Sequence, residues 1–182
     1  MPATYTLINS NVLASTSTSI AFSSIPATYT DLVLRYSVRL DGASVANSEQ
    51  FRLNGDTSTN YSETEVAGSG TGAGSSRKTN VSAWELGYFN GGGSTSNTFS
   101  SHELYIPNYT GTANKPISYF GVVETNASTT NQIQAIAKLY RGGSAISSLT
   151  IGAYGLNFQI GSSFLFIRNI QRLTKEKKCQ LK

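Results

Sequence analysis

Apolar and polar residues alternate along most of this chain with a period of two, the repeat of a strand with one face buried. Over residues 31–41, Leu32, Leu34, Tyr36, Val38 and Leu40 fall on one face, with Val33, Arg35, Ser37 and Arg39 on the other. Residues 80–89 place Trp84, Leu86 and Tyr88 opposite Val81, Ala83 and Glu85. Residues 98–106 set His102, Leu104 and Ile106 against Phe99, Glu103 and Tyr105. Residues 131–140 set Ile133, Ala135, Ala137 and Leu139 against Gln132, Gln134 and Lys138. Two segments, 117–124 and 163–170, are more continuously apolar, as strands covered on both faces would be. Shorter strands are expected at 4–8, 17–23, 50–53 and 145–151. The sum is about ten strands, and no long stretch carries a helical period.

Turn chemistry separates these segments. Asn54-Gly55-Asp56, Asp41-Gly42 and Arg141-Gly142-Gly143 supply residues that tolerate positive φ. The small-residue runs 67–76 (AGSGTGAGSS) and 91–97 (GGGSTSN) read as exposed loops. About ten strands in one domain point to an all-β fold, a two-sheet antiparallel β-sandwich of jelly-roll type, with an up-and-down barrel as the competing architecture. The expected domain is 1–170, followed by a C-terminal extension, 171–182.

Charge sharpens that division. Charged residues make up only 13% of the chain, well below the usual share, and Ser, Thr, Asn and Gly take their place. Ten tyrosines and eight phenylalanines argue for a packed core rather than disorder. Residues 1–170 hold nine Lys/Arg and nine Asp/Glu, so the body is neutral. The extension QRLTKEKKCQLK supplies the net +4 through Arg172, Lys175, Lys177, Lys178 and Lys182 against Glu176. A nucleic-acid binder carries its basic residues on the folded face that follows the phosphates, so no nucleic-acid partner is expected. The basic residues of the extension are instead candidate contacts to an acidic protein surface. The first ten residues lack a basic stretch followed by an apolar one, and no apolar run has membrane-spanning length. Synthesis in a cytoplasm and no membrane partner are expected.

The residues capable of chemistry are few. The Gly-rich run before Arg77-Lys78 lacks the Gly-Lys-Ser/Thr order and the following helix of a phosphate-binding loop. The one histidine, His102, shares a strand face with Leu104 and Ile106, and the one cysteine, Cys179, lies in the extension, so no catalytic triad is expected. Glu63 and Glu65 share one strand face and Glu85, Glu103 and Glu124 lie on expected strands, but the chain has ten acids in all, most of them suited to turns or rims, and an active glycosidase-like pair is not expected. Asp56 with Asn54 or Asp41 is the sole arrangement suggestive of calcium, too sparse to count as a metal site. The reading is therefore of a non-enzyme with no cofactor. Tyr61, Trp84, Tyr88 and Tyr109 are candidates for stacking on sugar rings, although aromatic residues in a sandwich more commonly form its core.

Four segments carry a resemblance: 23–35 (SSIPATYTDLVLR), 51–62 (FRLNGDTSTNYS), 105–118 (YIPNYTGTANKPIS) and 161–167 (GSSFLFI). They resemble a family of small virion-associated proteins of tailed bacteriophages, including phages of cyanobacteria and marine bacteria. The resemblance spans residues 1–167 and rests on strand-and-turn wording rather than on a catalytic motif. It implies a β-sandwich structural protein of the virion: a capsid decoration, or cement, subunit bound to the major capsid protein or other virion proteins, homo-oligomeric with a trimer favoured. The alternative it leaves is a tail-fibre or receptor-binding β-domain that recognises host surface glycans. The basic extension departs from the pattern, because such proteins usually stop soon after the last strand.

Overall fold

The computed structural model describes residues 5–126 and 132–169, and these form thirteen strands and no helix. The strands are β1 (Tyr5–Val12), β2 (Ser19–Phe22), β3 (Asp31–Val38), β4 (Ala46–Ser48), β5 (Gln50–Leu53), β6 (Tyr61–Gly68) and β7 (Ala73–Val81). They continue with β8 (Tyr88–Asn90), β9 (Ser100–Ile106), β10 (Lys115–Val123), β11 (Gln132–Tyr140), β12 (Leu149–Gly152) and β13 (Ser163–Asn169). Eight of them build one antiparallel sheet in the order β1-β13-β3-β9-β10-β11-β6-β7. Against its inner face lie a three-stranded sheet, β2-β12-β5, and a two-stranded one, β4-β8. The chain crosses repeatedly between layers, as in a jelly-roll-like sandwich, and the large sheet does not close into a barrel.

The core lies between these layers. β3 sends in Leu32, Leu34, Tyr36 and Val38, and β9 sends in His102, Leu104 and Ile106, the faces expected from their alternation. Rings from opposite layers meet directly: Phe22 of β2 stacks on Phe166 of β13 at 4.9 Å, and Tyr36 of β3 meets Phe89 of β8 edge-on at 5.8 Å. Such pairs add to the stabilisation that comes from the apolar area they remove from water.

Several expected elements differ. Residues 67–76 are not one loop; they hold the end of β6, a tight turn at Gly70 (φ 80°), and the start of β7. β7 is an edge strand with mostly exposed side chains, so pairing with β6 holds it and apolar periodicity cannot reveal it. The expected strand 80–89 is split: β7 ends at Val81, β8 begins at Tyr88, and between them Trp84 makes a single bridge to Phe51. β10 is buried on one face only, and none of the described layers covers the other. Val33 of β3 and Arg39 just beyond its end, both expected on the polar face of the 31–41 strand, are buried. The Arg39 guanidinium donates to the carbonyls of Thr95, Thr98, Gly92 and Ser94 and thereby shapes the 91–97 loop, which is a loop as expected. Among the expected turns, Asn54 and Gly55 adopt positive φ (55° and 63°), and Asp41-Gly42 and Arg141-Gly142-Gly143 do not.

The largest inversion is in β11. Its apolar set Ile133, Ala135 and Ala137 faces solvent, while Gln134 and Lys138 point inward with Ile136 and Tyr140. A lysine and a glutamine turn inward only when partners await them.

Candidate functional site: a charged cluster sealed between the layers

Lys138 of β11 lies directly opposite Glu63 of β6 in the antiparallel register. Its Nζ donates to Glu63 Oε2 at 2.9 Å, to the Leu86 carbonyl at 2.9 Å and to Glu49 Oε1 at 3.4 Å. The side chains of Lys138, Glu63 and Glu49 are all 0% exposed. Rings enclose the ammonium: Tyr119 at 5.0 Å, Phe51 at 5.7 Å and Trp84 at 5.8 Å from their centroids. Each such contact stabilises a cation further when water is excluded.

The second oxygen of Glu63 is equally well held. Oε1 accepts from the backbone N–H of Glu85 at 2.7 Å and of Leu86 at 2.9 Å. The non-strand segment between Trp84 and β8 presents these amides, which explains why the sequence there does not continue as a strand. Glu65, two residues along the same face, accepts from Gln134 Nε2 at 2.5 Å, and Gln134 Oε1 accepts from the Tyr88 amide at 3.1 Å.

Glu49 sits between β4 and β5. Burial raises its carboxyl to about 8, against the opposing pull of Lys138, so it is protonated at neutral pH. Its Oε2 is 3.2 Å from the Tyr119 hydroxyl and 3.4 Å from that of Tyr36. The Tyr119 hydroxyl also meets His102 Nδ1 at 2.8 Å, and burial lowers His102 to about 3, which keeps it neutral. Among the described residues, His102 Nε2 is buried without a hydrogen-bond partner.

Two glycines make room for this arrangement. A Cβ on Gly87, whose φ is +123°, would lie 2.6 Å from Glu49 Cδ. A Cβ on Gly121 would lie 2.8 Å from both His102 Nδ1 and the Tyr119 hydroxyl. Sequence reasoning noted Glu63 and Glu65 on one face and placed His102 inward. It missed Glu49, Lys138 and the two glycines, for which the available signal was a lysine and two glutamines on an otherwise apolar strand.

The other candidates separate. Tyr61, Trp84 and Tyr109 are fully buried, which corrects their reading as a sugar-stacking platform, and Tyr88 is half-buried in β8. Trp84 Nε1 donates to the Ser62 carbonyl and meets Tyr61 edge-on at 5.2 Å, the environment of a core residue. Asp56 is occupied by Ser58, Asn60 and Tyr140, and no group of three or more metal-ligating side chains occurs among the described residues. Arg172, Lys175, Lys177, Lys178, Lys182 and Cys179 lie outside the described residues.

The outer face of the large sheet forms a second feature. Val66, Ala135 and Phe120 are register neighbours across β6, β11 and β10, and Val66 and Phe120 are 60% and 48% exposed. Ile133 beside them is 53% exposed, and a shallow apolar groove of ≈ 660 Å³ runs past Val66, Ala135, Pro116 and Tyr105. Across β9 and β3 the same row continues as the exposed ion pair Arg35–Glu103 at 2.7 Å and passes through Leu165 of β13 to Ser10 of β1.

Fold and site together define an all-β sandwich protein with a charged cluster sealed in its core and an apolar outer sheet face. No family model matches the chain, and no curated protein or solved structure matches it.

Proposed function

We propose that this protein is a structural subunit of a virus particle: a capsid decoration subunit that docks on the shell exterior and stabilises it. The observation that carries this reading is the apolar row Val66–Ala135–Phe120 with Ile133 on the open face of the large sheet. A contiguous exposed apolar patch rimmed by polar residues is the usual mark of a protein–protein surface. The sequence resemblance to virion-associated proteins of tailed phages supplies the setting, with the major capsid protein as partner and a homo-oligomer, favoured as a trimer, as the assembled form. The five basic residues of the 171–182 extension add an electrostatic contact to an acidic shell surface.

Quantifying the protein in purified particles tests the reading. A copy number comparable to that of the major shell protein supports decoration. A number matching a single ring or fibre places the protein on the tail and overturns it. Full-length protein should also rebind stripped particles less well as salt rises, and removing 171–182 should weaken that dependence.

A further inference from the structure

A Lys–Glu pair sealed between two sheets gives up several kcal/mol of hydration per ion, and hydrophobic replacements often serve stability as well or better. The surroundings of Lys138 are also more specialised than an ion pair requires. A nucleophilic nitrogen touches one oxygen of a carboxyl group whose other oxygen is gripped by two backbone amides. A second carboxyl group stands 3.4 Å from the same nitrogen, and aromatic rings close the space around it.

We infer that Lys138 and Glu63 condense into an intramolecular amide, an isopeptide bond joining β11 to β6, with Glu49 as the proton carrier.

The chemistry balances without a co-reactant. One proton passes from Nζ to Oε2 along their 2.9 Å contact, giving a neutral amine and a neutral acid. The amine lone pair attacks Glu63 Cδ, and the charge that gathers on Oε1 is received by the Glu85 and Leu86 amides, the arrangement of an oxyanion hole. Glu49 gives its proton to the departing Oε2 and takes the proton that the nitrogen sheds, ending as it began. The Nζ–Cδ bond forms and the Cδ–Oε2 bond breaks. The water that leaves with Oε2 carries one proton from the ammonium and one from Glu49, and a second ammonium proton replaces the one that Glu49 gave. Amide formation from amine and acid is unfavourable in dilute water, but a fixed pair gains an effective concentration of about 10⁵ M or more. The protonated state of Glu49 at neutral pH suits its part as acid.

The roles are distinct: Lys138 attacks, Glu63 accepts, Glu49 transfers protons, and Gly87 leaves space for the Glu49 carboxyl. The event occurs once per molecule and uses the protein as its own substrate. It does not depend on the docking surface or on where the protein resides.

Intact-mass measurement of the full-length, denatured protein is the test, followed by peptide mapping. The expected mass is one water below that of the sequence, with a single branched peptide containing both Glu63 and Lys138. Lys138→Met should restore the full mass, and Glu49→Gln should restore it or slow the loss greatly over hours of incubation. Folded wild-type protein with the full sequence mass and two separate peptides would overturn the proposal and leave a buried ion pair only. A water loss that maps elsewhere would overturn it equally. A Glu49→Gln protein that cross-links at the wild-type rate would remove Glu49 from the chemistry. Because the decisive reading is on the wild type, a variant that fails to fold does not blunt the test.

Discussion

Lys138 and Glu63 are direct register partners across the β6–β11 ladder, with Nζ 2.9 Å from Oε2 and both side chains closed off from solvent. Neither charge makes sense alone. Glu63 is also the acceptor for the Glu85 and Leu86 amides, so this one pair fixes the path of the chain between β7 and β8 as well as the contact between strands.

Removing one partner should therefore be severe. Lys138→Ala leaves two carboxyl groups buried around an emptied site and should cost about 3–5 kcal/mol. At about 2–4 °C per kcal/mol for a domain of this size, the loss is easily read by thermal unfolding. The double variant Lys138→Met/Glu63→Gln should cost clearly less than the sum of its single changes, measured as a double-mutant cycle in denaturant.

Stability should peak in mildly acidic solution. Glu49 binds its proton more tightly when folded, with a value of about 8 against an ordinary 4.5, so its contribution is complete below 4.5 and is lost as pH rises towards 8. His102 behaves oppositely: its value falls from 6.5 to about 3, so its contribution is present above 6.5 and is lost as pH falls towards 3. Hydrogen bonds from Ser58 and Asn60 lower Asp56 from 3.8 to about 2, which adds to the loss in acid. Denaturation midpoints measured across this range should decline on both sides of a plateau between 4.5 and 6.5. Glu49→Gln should flatten the alkaline limb alone.

The glycines beside the cluster should resist even a methyl group. Gly87→Ala drives a Cβ to 2.6 Å from Glu49 Cδ and also imposes a left-handed φ on an L-residue. Gly121→Ala presses on His102 and Tyr119 at 2.8 Å. Each should cost about 1–3 kcal/mol by overpacking, whereas Gly74→Ala, with nothing near its Cβ, should be neutral when compared by calorimetry.

Arg39→Lys should loosen the 91–97 loop. A lysine carries the same charge but cannot reproduce a planar fork that reaches four carbonyls. A destabilisation of about 1.5–3 kcal/mol is expected, with faster amide hydrogen exchange concentrated in residues 91–98.

Phe120→Asp and Ile133→Asp probe the outer face. Both side chains are exposed, so unfolding should shift by only about 0.5 kcal/mol. Co-sedimentation with stripped particles should nevertheless fall sharply. Undiminished binding by both variants would remove this face from the contact.

The sequence by itself determined an all-β fold, because a period of two is a local property that each strand carries alone. It also placed the inward sets of β3 and β9, Leu32, Leu34, Tyr36 and Val38 and His102, Leu104 and Ile106, although Val33 on the opposite face of β3 is buried as well. It could not orient β11. Ile133, Ala135 and Ala137 compete with Gln134, Ile136, Lys138 and Tyr140, and the choice depends on acids that lie far away in the chain. Glu49 is 89 residues from Lys138 and Glu63 is 75. Tertiary structure decides the matter by supplying both carboxyl groups, two backbone amides and an aromatic enclosure at one point between the layers. Burying a lysine without them would be prohibitive; with them, the apolar set is left on the outer face. The same dependence hid β7, an edge strand made by pairing rather than by burial.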